Sequence, residues 1–237
     1  MYDIVIVGAG VVGGMIAREL SAYKLNLCIL DKAHDVATGA SSANSAIVHA
    51  GFDAKPGSLK ARFNVRGSKM MEEVCADLGV KYKRNGSLVV GFNDDDKETL
   101  LSLVKRGEKN GVEGLSVIDR NRILEIEPNI GEGVTCALHA PTGAIICPYE
   151  LCMATVGNAM DNGVSLKCDF CVSKIEKTDC GYRIYSEGGE TVDALAKLAG
   201  VEVATNEIAI IEWLGTESNM AVAIANGLLK QGDLPNF

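Results

Sequence analysis

The chain opens with Ile4-Val5-Ile6-Val7, four consecutive β-branched residues with no polar alternation. That is the pattern of a strand covered on both faces, as in a parallel sheet. After Gly8-Ala9-Gly10 the period changes: Val12, Ile16 and Leu20 recur every four residues and predict a helix running to about Tyr23. Asn26 breaks it, and Leu27-Cys28-Ile29-Leu30 predicts a second buried strand ending at Asp31. Strand, helix and strand complete a βαβ unit of about 30 residues, so the first structure expected is a nucleotide-binding half-fold.

Residues 37–46 are almost all Ala, Ser, Gly, Thr and Asn, which predicts a loop rich in hydroxyls and main-chain donors. Beyond Pro56-Gly57, Leu59, Phe63, Met70, Val74 and Leu78 keep helical spacing, with Ser58 as N-cap and Gly79 as stop. A strand is expected over 87–92, an exposed helix over 94–109 and a short helix over 119–126. Asp94-Asp95-Asp96 suits the positive end of the exposed helix better than a metal site. A strand over 134–139, a helix over 148–162 with proline in its first turn, and two strands within 165–185 joined near Asp179 complete the pattern. Alternating strands and helices place the chain in the α/β class.

Composition narrows the function classes. With 47% apolar residues among 237, the chain can bury a continuous core and is not expected to be disordered. A net charge of -8, from 23 basic and 31 acidic residues, leaves no surplus to neutralise a nucleic-acid backbone. No run of about 18 apolar residues predicts a transmembrane helix. Met1-Tyr2-Asp3 passes straight into the first strand without an export signal, so a cytoplasmic location is expected. In that compartment the eight cysteines read as free thiols. Cys168 and Cys171 have metal-like spacing, with Cys147 and Cys152 about twenty residues upstream. A strand over 164–175 would point residues three apart to opposite faces, and no metal site is expected.

The clearest chemistry lies in Gly8-x-Gly10-x-x-Gly13, between the first strand and helix. Gly8 permits the sharp turn, Gly10 lets the backbone approach a pyrophosphate, and Gly13 lets the helix pack against the strand. The free N–H groups and positive end of the helix complement phosphates, and Val12 is placed in the same cradle. Asp31, 18 residues after Gly13, can accept hydrogen bonds from ribose hydroxyls and would repel a 2′-phosphate. FAD and NAD share the adenosine diphosphate portion, so the fingerprint serves both. A simple NAD-binding domain would continue with a crossover helix and a third apolar strand. Here a Ser/Ala/Asn loop, His49 and a long helix follow, an arrangement that suits a flavin.

Three stretches carry a family resemblance: Asp3 to Gly14, the run Asn44-Ser45-Ala46-Ile47-Val48-His49-Ala50-Gly51, and Pro56-Gly57-Ser58-Leu59-Lys60-Ala61. Together they resemble flavoproteins of the D-amino-acid-oxidase superfamily. The second and third look most like the branch with L-2-hydroxyglutarate oxidases and FAD-linked glycerol-3-phosphate dehydrogenases. The resemblance implies a Rossmann-like FAD-binding domain over 1–78 and 148–194, with an interleaved α+β substrate domain over 79–147. It implies FAD as cofactor, Asp31 and Lys32 beside the adenosine ribose, and Val172 meeting adenine through its main chain. Ser41, Ser42, Asn44 and Ser45 would lie along the pyrophosphate and ribityl chain.

The same resemblance implies oxidation of a small anionic alcohol by hydride transfer to flavin, with an electron-acceptor protein or quinone downstream. Such an oxidation also releases a hydroxyl proton, and His49 is the candidate base because an imidazole titrates near neutrality. The plainer reading of His49 is a hydrogen-bonding loop residue; His34 and His139 are read as structural. Lys60, Arg62 and Arg66 are candidate counter-charges for the substrate, against a reading as solvated surface cations. Where the family continues with a strand, a small-residue turn and over a hundred further residues, this chain has a divergent, mostly helical tail over 195–237 that contains Trp213. The fold is therefore expected to be incomplete at the C-terminus. A catalytically inactive nucleotide-binding fragment or subunit, and an NAD-dependent dehydrogenase, stay open as alternatives.

Overall fold

The computed structural model describes residues 1–195; the helical tail expected beyond them, with Trp213, lies outside the described residues. The described residues divide into two compact units, one of residues 1–44 and 148–195, the other Ser45–Cys147. The first unit begins with β1 (Ile4–Val7), α1 (Val11–Leu20) and β2 (Leu27–Leu30). The second holds β3 (Ile47–Val48), α2 (Leu59–Asp77), β4 (Tyr82–Lys83), β5 (Ser87–Gly91), α3 (Asp94–Asn110), β6 (Ser116–Asp119), α4 (Arg120–Ile126), β7 (Cys136–Ala140) and β8 (Ala144–Ile146). The chain then returns to the first unit with α5 (Pro148–Asp161), β9 (Ser165–Lys167), β10 (Val172–Thr178), β11 (Gly181–Ser186) and β12 (Thr191–Ala194).

In the first unit β1, β2 and β9 form a parallel sheet with β2 in the middle. Ile4, Ile6, Leu27 and Ile29 point to one face, where they pack with Ala17 of α1 and Val156 and Ala159 of α5. Val5, Cys28 and Leu30 point to the other, against Phe170, Ile184 and Val192 beneath the antiparallel sheet β10-β11-β12. Both faces are covered, which is why these strands lack polar alternation; each large side chain so buried contributes about 1.5–3 kcal/mol. The helices α1 and α5 approach closely because Gly14 has no side chain: a Cβ there would stand 2.5 Å from Thr155 Oγ1.

The second unit is built on β7, paired antiparallel with β5 and β6. Cys136, Leu138 and Ala140 pack with Leu100 and Val112, while Ala137 faces Ile123 and Val134. A smaller sheet pairs β8 with β3 and β4. Ser58 caps α2, its Oγ accepting from Ala61 N–H at 3.2 Å, and Gly79 with φ of +67° follows its end. Among the described residues no helix is long and apolar enough to cross a membrane.

Two sequence expectations are corrected. Residues 165–185 form parts of three strands rather than two, since β9 leaves the parallel sheet at Lys167 and Asp169 takes a φ of +57° before β10 begins. Cys168 and Cys171 thus lie in a connection, and strand geometry does not describe their sulfurs. Helix α1 ends at Leu20, short of Tyr23, where Ser21 Oγ donates to Arg18 O at 2.7 Å. The compact units part after Asn44, and β3 pairs with β8 within the second.

Candidate functional site

The turn after β1 is held almost entirely by main-chain atoms. Gly8 adopts a φ of +105°, a region open to glycine, and its N–H donates to Leu30 O at 2.7 Å. A Cβ on Gly13 would stand 1.9 Å from Gly8 O, so α1 rests directly on the turn. Asp31, at the end of β2, fixes the turn from the side. Its Oδ2 accepts from Ala9 N–H at 2.6 Å and its Oδ1 from Ala33 N–H at 2.8 Å. Each oxygen keeps a further lone pair for another donor.

Helix α1 begins at Gly10, which has no side chain to cap it. The hydroxyl of Ser41 takes that place, its Oγ accepting from Val11 N–H at 2.9 Å, and a Cβ on Gly10 would lie 3.0 Å from it. Bare glycine backbone, amides at a helix start and a carboxylate at the end of the neighbouring strand fit the pyrophosphate and ribose of a dinucleotide. Gly8, Gly10, Gly13, Asp31 and Ser41 are brought together; Val12 is half-buried in the first turn of α1, and Lys32 is exposed. In the following loop Ser42 Oγ donates to Gly39 O at 3.0 Å and Asn44 Nδ2 to Ala40 O at 2.9 Å. Val172 opens β10, half-buried against the cluster of Val5, Leu30 and Phe170. Phe170 N–H donates to Asp31 O at 2.8 Å, tying that connection to the acid.

One residue of this cradle escaped the sequence reading. Cys152 on α5 is fully buried, with Sγ 3.3 Å from Ala9 O. Burial pushes its thiol up to about 11, so it stays protonated and donates to the turn. Its helical spacing marks it as core and nothing more.

The second unit carries a cavity of about 70 Å³ lined by His49, Gly51, Phe52, Asp53, Lys60 and Asn64 among others. His49 itself is exposed, and Ser45, which opens this unit, is exposed as well. The loop after His49 is clamped from two helices. Gly51, at φ of +107°, sits so close to α2 that a Cβ would lie 2.6 Å from Val65 Cγ2 and 2.9 Å from Asn64 Oδ1. From α3, Asn110 Nδ2 donates to Gly51 O at 3.0 Å and Ala54 O at 2.8 Å, and Arg106 Nη1 to Asp53 O at 3.0 Å. Of the other histidines, His34 is exposed in a loop, and His139 lies on β7, where burial and then the Arg122 charge hold its pKa below the usual value.

A parallel sheet whose first strand enters a three-glycine turn and a helix, with a carboxylate closing the next strand, defines a dinucleotide-binding α/β protein. The FAD dependent oxidoreductase family matches residues 3–213, and the chain belongs to that family. Among relatives, a glycerol 3-phosphate dehydrogenase of Caloramator mitchellensis is 48% identical over 184 residues, 78% of this chain and 38% of its own length. A mitochondrial L-2-hydroxyglutarate dehydrogenase of Dictyostelium discoideum is 37% identical over 161 residues, 67% of this chain and 36% of its own. Among solved structures, the L-alpha-glycerophosphate oxidase of Mycoplasma pneumoniae, with FAD bound, superposes with a TM-score of 0.76 at 29% identity over 82% of this chain and 51% of that one. The chain thus spans about half the length of that structure and under two fifths of the two relatives. Membership decides between the two dinucleotides that the fingerprint left open: the cofactor is FAD.

Proposed function

We propose that the chain binds FAD at the Gly8–Gly13 turn and serves the oxidation of a small anionic alcohol, glycerol 3-phosphate or a 2-hydroxy acid such as L-2-hydroxyglutarate. The observation that carries the reading is the turn itself, where glycine, helix start, Asp31 and Ser41 leave backbone donors and a carboxylate where a dinucleotide needs them. The names of the relatives support the substrate class. Eight free cysteines, four of them buried, support a reducing cytoplasmic setting.

Bound FAD supplies the acceptor for the hydride that leaves the carbinol carbon. The amides at the start of α1 and the Ser41 hydroxyl hold the pyrophosphate, and Asp31 with Lys32 meets the adenosine ribose. Ser42, Asn44 and Ser45 serve the pyrophosphate and ribityl chain, and the main chain of Val172 meets adenine. His49 takes the hydroxyl proton at an imidazole nitrogen, so that hydride and proton depart to different acceptors and a carbonyl remains.

Mass spectrometry of the small molecule released on denaturation, paired with dye reduction by glycerol 3-phosphate and L-2-hydroxyglutarate, tests both halves. FAD and a reduced dye are expected. Release of NAD, or of no nucleotide, overturns the reading, and FAD without reduction by either substrate favours a catalytically inactive nucleotide-binding fragment.

A further inference from the structure

We propose that the cavity between His49 and the start of α2 seats the anionic group of the substrate, with Lys60 as its counter-charge and the Asn64 amide as a second donor. The proposal rests on the oxidation of an anionic alcohol put forward above, and adds which residues read the anion. Among the cations of α2, the structure separates Lys60 from Arg62 and Arg66. Lys60 lines the cavity together with His49 and Asn64. Lys60, Arg62 and Arg66 are all exposed, but the two arginines do not line the cavity, and the Arg62 guanidinium lies 5.4 Å from the Phe63 ring centroid. Lys60 and Asn64 stand four residues apart, hence on one helix face.

Charge points the same way. In a chain of net charge -8, Lys60 forms no ion pair among the described residues, whereas Lys69 on the same helix is bonded to Glu113 at 2.9 Å. The carboxylate lining the cavity, Asp53, lies 3.9 Å from Arg106 Nη1. The Lys60 ammonium thus lines the cavity without an ion pair among the described residues. It is the second residue of the 19-residue helix α2, where the positive end of the helix dipole adds to it.

Size sets what can enter. A cavity of about 70 Å³ is far below the roughly 300 Å³ at which ligand pockets begin. It therefore takes one charged head group and leaves the rest of the substrate outside. The seat is also braced: Gly51 packs against Asn64 Oδ1, and Asn110 and Arg106 hold the loop from Gly51 to Ala54. An ammonium acts as a point charge without the planar fork of arginine, so this seat accepts a tetrahedral phosphate or a planar carboxylate.

The test uses the full chain loaded with FAD, titrated calorimetrically with glycerol 3-phosphate, L-2-hydroxyglutarate and, as a neutral control, glycerol. Lys60→Gln is expected to weaken both anions by about tenfold to a hundredfold, the range of a charge-assisted hydrogen bond. Lys60→Arg is expected to recover most of that loss, and neither variant to lower the flavin content. Independently of any substitution, the Asn64 side-chain amide resonance should shift with each anion and stay fixed with glycerol. Unchanged anion affinity in Lys60→Gln, or an Asn64 resonance indifferent to the anions, overturns the seat while leaving the substrate class standing. A wild-type chain that binds neither anion removes seat and substrate class together, and its flavin content then reads the cofactor assignment separately.

Discussion

The glycine turn and the His49 cavity are built from opposite materials. Backbone makes the turn: Gly8 N–H reaches Leu30 O, the Ala9 and Val11 amides meet Asp31 and Ser41, and the space is kept by what Gly10 and Gly13 lack. Side chains make the cavity, with Arg106 and Asn110 reaching more than fifty residues back to a loop whose His49 is exposed. A site of the first kind fails when an atom is added. One of the second kind fails when an atom is removed.

The largest effect expected from this contrast is that of Gly13→Ala. Its methyl would meet a main-chain oxygen that cannot yield, so the loss should exceed about 3 kcal/mol. Thermal melting, and an absorbance ratio showing no bound flavin, check it; a flavin-loaded Gly13→Ala chain would break the comparison. Next comes His49→Ala, expected to slow dye reduction by about 10²–10⁴ with flavin content intact. A variant at full rate would return His49 to the plainer role of a loop residue.

Asn110→Ala sharpens the difference from the side of the clamp. It strips the Gly51 and Ala54 carbonyls of their donor, at about 1–3 kcal/mol, and should raise KM more than it lowers kcat. Alkali tests the turn through Cys152. A thiol at about 11 in the fold, against 9.0 unfolded, means that stability is fully present below pH 9 and is lost as pH rises toward about 11. The Cys152 share of the loss at pH 10 is on the order of 1 kcal/mol, read by denaturant melts, and a Cys152→Ala chain should show a smaller loss, the raised thiols of buried Cys28 and Cys75 still contributing. The smallest effect belongs to Ser41→Ala, about 0.5–1.5 kcal/mol in the same melts, because the Val11 amide loses its hydroxyl partner.

The contrast also explains what could be read ahead of the structure. The strands β1 and β2 were legible to the residue, since burial on both faces removes every polar position from their runs. Likewise Ser58 marks the start of α2 through its own side chain. Strands of two or three residues, such as β3, β4 and β8, offer no period to detect. The break at Asp169 was hidden because a positive φ at aspartate leaves no mark on an otherwise strand-like run. Of the site, the glycines and Asp31 follow from spacing along one segment. Asn64, Arg106 and Asn110 did not, because no spacing rule links a loop to amides on two later helices.

The partner of β2 across the parallel sheet is β9, where Leu30 pairs with Lys167. During synthesis the outer edge of β2 therefore waits for more than a hundred residues to leave the ribosome, on the order of ten seconds at about 5–20 residues per second. An apolar strand with open N–H and C=O groups invites intermolecular pairing, so the nascent chain is most prone to aggregate in that interval. Crowded expression should worsen the yield sooner than heating the finished protein does.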